Sequence, residues 1–234
     1  MKTLLTAVFV TAAILPTLHP TATAEPTSTS DLPGSAGARE LPPVFRGEIV
    51  RLDRNLRQRM TGSSWHPGCP VPLRDLRLLK LRVRNFENEV KRGRLVVHKT
   101  AASRMVNVFR RLFEAGFRIR RMQLVDAFGA DDHRSMNADN TSAFNCREVA
   151  GRPGVWSRHA FGRAIDVNPV ENPYVFGSHV SPPKGRPFAV RSPRRRGMVN
   201  EGGQVVRIFA SIGWEWGGNW YGAKDYQHFS ASGD

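Results

Sequence analysis

The sequence predicts an α+β fold, a small and mostly antiparallel sheet flanked by helices, and three observations carry that prediction. Leu79, Leu81 and Val83 alternate with Lys80, Arg82 and Arg84, the period of two of a half-buried strand with one basic face. Met105, Val108, Phe109, Leu112 and Phe113 recur at spacings of three and four, which gives a helix an apolar stripe. Strand-like and helix-like stretches then mix without a regular βαβ repeat, and no internal repeat is present.

Taken in order, Leu95-Val96-Val97 follows a glycine and reads as the partner of the strand at Leu79–Val83. Thr100 is placed to cap the helix of the apolar stripe, and Gly116 to end it. Ile119 to Val125 reads as a further strand and Ala164-Ile165-Asp166-Val167 as a short buried one. Val205, Ile208, Phe209 and Ile212 mark a second helix, stopped by Gly213.

Before these elements the chain is organised differently. Met1 and Lys2 precede an apolar run from Leu4 to Leu15, and Ala22-Thr23-Ala24 offers the small residues of a signal-peptidase site. Residues 1–24 therefore read as a signal peptide, the competing reading being an uncleaved anchor. No other run approaches the roughly 20 apolar residues of a membrane span. Residues 25–43, rich in Pro, Ser, Thr and Gly, read as a flexible linker. Residues 44–75 form a basic lead-in joined to the domain, and residues 76–234 the domain itself. At 234 residues, 40% of them hydrophobic, the chain suits one such domain.

The formal net charge of +15 favours an anionic partner without distinguishing nucleic acid, an acidic wall polymer or a membrane surface. Nucleic acid is disfavoured by the export signal and by the lack of a recognition motif. Arg191 and the run Arg194 to Arg196 read first as a solvated loop, and in an exported protein also as a holder of anionic polymers. The only two cysteines, Cys69 and Cys146, read as one disulfide in an exported chain. Zinc ligation by that pair is the alternative, which no CxxC spacing supports.

The densest chemical signal is Ser157-Arg158-His159-Ala160-Phe161-Gly162-Arg163-Ala164-Ile165-Asp166. His159 and Asp166 are suitable zinc ligands, but seven residues apart they lack the spacing of about four expected of a ligand pair on one helix, and they fall on opposite faces of a straight strand. The chain must turn between them, and Gly162 allows it. His159 is therefore expected on a loop and Asp166 on the strand it enters. Near the C-terminus, Asp225 stands three residues before His228. His228 can complete a three-ligand site for one Zn²⁺, leaving Asp225 off the metal to handle a proton. A lone histidine is more often a surface or core residue. His19, His66, His98, His133 and His179 have no acid at useful spacing.

The pattern Ser-x-His-x-x-Gly-x-Ala-x-Asp, followed far downstream by Asp-x-x-His, resembles that of two related peptidase groups. These are the zinc D-alanyl-D-alanine carboxypeptidases and the L-alanyl-D-glutamate endopeptidases, which share their fold with the hedgehog signalling domain. The block from Gly213 to Trp220 and from Lys224 to Phe229 is most similar to the endopeptidase branch found in endolysins. The resemblance covers roughly Leu76 to Phe229. It implies a hedgehog/DD-peptidase-like fold with zinc on His159, Asp166 and His228, Asp225 as general base and acid, and Ser157 bracing the metal loop. It also implies that Arg134 binds a substrate carboxylate or the developing oxyanion, although His133 stands where the family has Tyr. Trp214 is assigned to packing. Trp216 and Trp220 stay open between packing and a substrate wall.

The expected activity is that of a secreted, monomeric peptidase cutting peptidoglycan stem peptides. The alternative is a zinc-containing module that binds wall or polyanion without cleaving. Either bond type, D-alanyl-D-alanine or L-alanyl-D-glutamate, fits the sequence.

Overall fold

A computed structural model of the protein describes residues 43–231. The expected signal segment, with His19, and all of the expected linker but Pro43 lie outside the described residues.

Strand β1 (Gly47–Arg51) leads to helix α1 (Arg54–Met60), whose N-cap Asp53 accepts a hydrogen bond from the Leu56 amide at 2.7 Å. Strands β2 (Leu76–Arg84) and β3 (Val90–His98) form a long antiparallel pair, and β1 pairs along the other edge of β2. Helix α2 (Ala102–Glu114) packs its stripe of Met105, Val108, Phe109 and Leu112 with Leu79, Leu81 and Val83 of β2. The opposite face carries Leu76, Leu78 and Val96, which join Leu52, Leu56 and Met60 in a second core. Residues 44–75, expected as a lead-in, thus supply an edge strand, a helix and part of a core.

Beyond α2 the elements shorten. They are β4 (Arg121–Met122), α3 (Asp132–Asn137), β5 (Asn140–Thr141), the pair β6 (Glu148–Val149) and β7 (Arg152–Trp156), and β8 (Ala164–Asp166). Strands β9 (Tyr174–Phe176) and β10 (His179–Ser181) follow, then helices α4 (Arg186–Ala189) and α5 (Gln204–Ala210). The described chain closes with β11 (Glu215–Trp216), β12 (Lys224–Asp225) and β13 (His228–Ser230). Two three-stranded antiparallel sheets result, in the orders β11-β13-β8 and β10-β9-β12, while β4 and β5 pair in parallel. Phe229 anchors β13 in the main core by stacking on Phe209 of α5, ring centroids 3.9 Å apart. The mixture of helices with small, mainly antiparallel sheets is the expected α+β class.

Two local expectations are corrected. Of the expected strand Ile119–Val125, Arg121–Met122 alone forms a strand, while the Ile119 amide donates to the Arg84 carbonyl at the end of β2. The Asn140 side chain both accepts from the Gln123 amide and donates to the Gln123 carbonyl, ending the ladder there. Val125 then starts a 3-10 turn. Thr100 does not cap α2, because its hydroxyl bonds the His98 ring at 2.7 Å and Ala101 takes the cap position. The disulfide is present: Cys69 and Cys146 are joined at 2.02 Å, which removes the zinc-ligand reading of that pair. No helix among the described residues is long and apolar enough to cross a membrane.

Candidate metal centre

His159 sits on a 3-10 turn, Arg158–Phe161, and not within a strand or longer helix. Ser157 caps that turn, its hydroxyl accepting from the His159 amide at 3.3 Å. Gly162 ends it at φ +62°, a left-handed conformation that glycine adopts without strain. A Cβ on Gly162 would also lie 2.5 Å from the His98 amide nitrogen, so the turn is pressed against the end of β3. The chain then enters β8, which delivers Asp166.

Strand pairing brings the third residue in. His228 of β13 lies directly opposite Asp166 of β8, so both side chains leave the same face of the sheet. Phe229, next along, points to the other face and into the core. Asp225 comes from β12, in the other sheet, where it pairs with Tyr174. Gly217 makes the close approach possible: a Cβ there would lie 2.9 Å from the Asp225 Cβ and 3.3 Å from the His228 Cβ.

The result is a closed triangle of three residues, with both Asp166 oxygens taking part. His159 Nε2 is 3.2 Å from Asp166 Oδ2 and 3.3 Å from His228 Nδ1, and His228 Nδ1 is 3.1 Å from Asp166 Oδ1. All three residues are buried. Ligands at 2.0–2.1 Å from a tetrahedral zinc are about 3.3–3.4 Å from one another, so the triangle fits the ion. The ring assignment fits as well. His159 Nδ1 is bonded to the Ala143 carbonyl, which can only accept, so Nδ1 carries the proton and Nε2 presents its lone pair to Asp166. Lone pairs and a carboxylate at these distances repel unless positive charge lies among them.

The titration shifts show the same demand. Burial alone would lower the His159 imidazole, yet Asp166 beside it holds it above its ordinary range. Burial would likewise raise the Asp166 carboxyl, but His159 and His228 hold it far below the usual carboxylate range. Asp225 behaves oppositely. Burial lifts its carboxyl to about 6, an effect that His228 opposes and Asp166 reinforces. Its Oδ1 is buried without a hydrogen-bond partner. A carboxyl of this kind can hold or release a proton close to neutral pH.

The remaining residues singled out from sequence divide. Trp214 and Trp216 are both buried in the main core, and Trp216 donates to the Tyr226 carbonyl at 2.8 Å. Trp216 is therefore a packing residue and not a substrate wall. Trp220 is half-buried, with its ring centroid 5.4 Å from that of His228. Arg134 lies on α3 with its side chain 76% exposed and its Nε 3.4 Å from Asp131 Oδ2. It makes no hydrogen bond or ion pair with the triad among the described residues. The link from α3 to the site is Met136, whose sulfur accepts from Gln227 at 3.5 Å. Arg191 is no solvated loop residue: it donates to the Glu171, Phe188 and Val199 carbonyls and to the Asn172 side chain.

Ala143, Gly217 and Gln227 were missed by sequence reasoning. Ala143 acts through its carbonyl and Gly217 through its lack of a side chain, so neither leaves a chemical signal. Gln227 lay inside the motif between Asp225 and His228.

The model of a family described as D-alanyl-D-alanine carboxypeptidase matches residues 150–231. The stretch holds Ser157, His159, Asp166, Asp225 and His228 and begins after Arg134. The match makes this stretch of the chain similar to that family. No curated protein and no solved structure matches the chain.

Proposed function

We propose that the protein is a secreted, zinc-dependent peptidase that hydrolyses amide bonds in peptidoglycan stem peptides. The observation that carries this reading is the triangle of His159, Asp166 and His228 with the raised carboxyl of Asp225 beside it. One zinc ion held by those three residues would polarise a substrate carbonyl and let water give up a proton near neutral pH.

The chain's own residues supply the rest. His159 is oriented by the Ala143 carbonyl and Ser157 braces its turn, so the ligand set is fixed before substrate arrives. Asp225, as carboxylate, takes the proton of the attacking water and returns it to the leaving amine. Arg134, exposed on α3, is the proposed partner for a substrate carboxylate or for the charge developing on the carbonyl oxygen. Trp220 is the aromatic left to line the substrate side, against His228. The reading of residues 1–24 as an export signal supports work outside the cell.

The proposal separates metal binding from proton transfer. Asp225→Ala is expected to keep one zinc per chain and lose about 10²- to 10⁴-fold in rate. His159→Ala is expected to lose both. Metal analysis alongside peptidoglycan turnover reads the two separately, and near-normal turnover in Asp225→Ala would remove Asp225 as the base. A binding module that does not cleave would show zinc without turnover in the unmodified protein.

A further inference from the structure

The arginine run that the proposed chemistry does not use lines a cavity of its own. The cavity is 480 Å³, and Arg118, Arg194, Arg195, Arg196, Asn200 and Gln204 supply polar parts of its lining. None of His159, Asp166, Asp225 or His228 lines it. Two residues beyond Asp166, the Asn168 amide donates to the carbonyls of Arg118 and Gly197 and so ties the two sides of the rim together. Arg196 is held by the Phe86 carbonyl, and the Arg195 guanidinium lies 5.1 Å from the Phe188 ring centroid.

The charge of this cavity is not balanced from within. Among the described residues, no carboxylate forms a salt bridge with Arg118, Arg194, Arg195 or Arg196. Arg118 Nη1 is buried and has no hydrogen-bond partner. Burial disfavours the charge of Arg118, and its electrostatic neighbours Arg84 and Arg196 repel it further. A guanidinium left in that condition costs free energy unless an anion meets it. Arg191, only three residues before the run, shows the contrast, since its donors are spent on backbone and Asn172.

We propose that this cavity is a binding site for a phosphate-bearing anion, with Arg118 as its partly buried charge and Arg194, Arg195 and Arg196 at its rim. Four guanidinium groups around one space call for more negative charge than a single carboxylate carries. Phosphate oxygens also match the donor fork of arginine. Free phosphate and a phosphodiester polymer share that chemistry.

The test is calorimetric titration of the full chain with inorganic pyrophosphate and, separately, with a short poly(glycerol phosphate), near 0.15 M salt to suppress diffuse attraction. Saturable binding of one anion per chain is expected, weakened about tenfold or more by Arg118→Gln, since charge-assisted bonds to a partly buried group are at stake. Should Arg118→Gln not fold, Arg194→Gln/Arg195→Gln provides the same readout from the rim. The charge-matched control Arg92→Gln/Arg94→Gln, on the exposed face of β3, should bind as the unmodified protein does. Tighter binding of the polymer identifies a wall-type phosphodiester as the ligand, and binding of pyrophosphate alone a free phosphate. Absence of saturable binding to either probe, or an equal loss in the control, overturns the proposal.

Discussion

Asp225 sits where two opposing influences meet. Burial lifts its carboxyl to about 6, and the His228 imidazole draws it down. The proposed base acts only when ionised, so activity should fall as acid protonates it. The acid limb of the pH–rate profile is expected at or below pH 6, because positive charge in the neighbouring triad favours the carboxylate. Profiles of the unmodified protein and of Asp225→Glu check this; a limb that stays unchanged when the base is altered would assign it to another group. At this scale the candidate site was legible where a side chain is suited to the proposed chemistry. His159, Asp166, Asp225 and His228 stand out in the sequence because few residue types bind zinc or move protons. Trp216 could not be settled that way, since an indole looks the same in a core as on a wall.

The turn and strands that position these groups carry information of another kind. A separation of seven positions between two proposed ligands required a turn, and Gly162 was the only residue between them suited to it. Its left-handed φ and its closeness to the His98 amide account for that requirement. Gly162→Ala is expected to destabilise the fold by at least about 1–3 kcal/mol and to weaken zinc binding, because His159 would move with the turn. Urea unfolding and zinc titration measure the two effects; an unchanged midpoint and affinity would mean that the turn does not position His159. The register that sets His228 opposite Asp166 was not legible, because the two strands are three residues each and 62 positions separate the pair. Short strands carry too few alternations to reveal their partners. The failed strand at Ile119–Val125 has a related cause. Its apolar residues are buried as expected of a strand, but the side chain of Asn140 in β5 satisfies the Gln123 backbone in place of further strand pairing.

Across the whole molecule, a second carboxyl sets how stability responds to pH. Glu171 is buried beside Asp139, and Arg120 reaches both at 3.5–3.6 Å. Burial, then the neighbouring Asp139, raises Glu171 from its ordinary 4.5 to about 8. The folded state therefore holds this proton more tightly than the unfolded chain does. The stabilisation is present below pH 4.5 and is lost as pH rises toward 8. Glu171→Gln should melt above the unmodified protein at about pH 9 and close to it at about pH 5. Equal melting temperatures at both would place the proton elsewhere. The fold class was legible at this scale from the period of β2 and the stripe of α2, and the disulfide from the single cysteine pair. The part played by residues 44–75 was not, because Leu52, Leu56 and Met60 find their partners only once β2 and β3 are paired.

The central claim, that a zinc site built from His159, Asp166 and His228 serves to cut wall peptides, is tested most directly by digesting purified peptidoglycan. The protein would be incubated with zinc and, in parallel, with a chelator, and the released fragments identified by mass spectrometry. The account predicts chelator-sensitive release of products with either a new L-alanine carboxyl end or a lost terminal D-alanine. Peptidoglycan left intact under both conditions, or cut equally in the presence of the chelator, would contradict it.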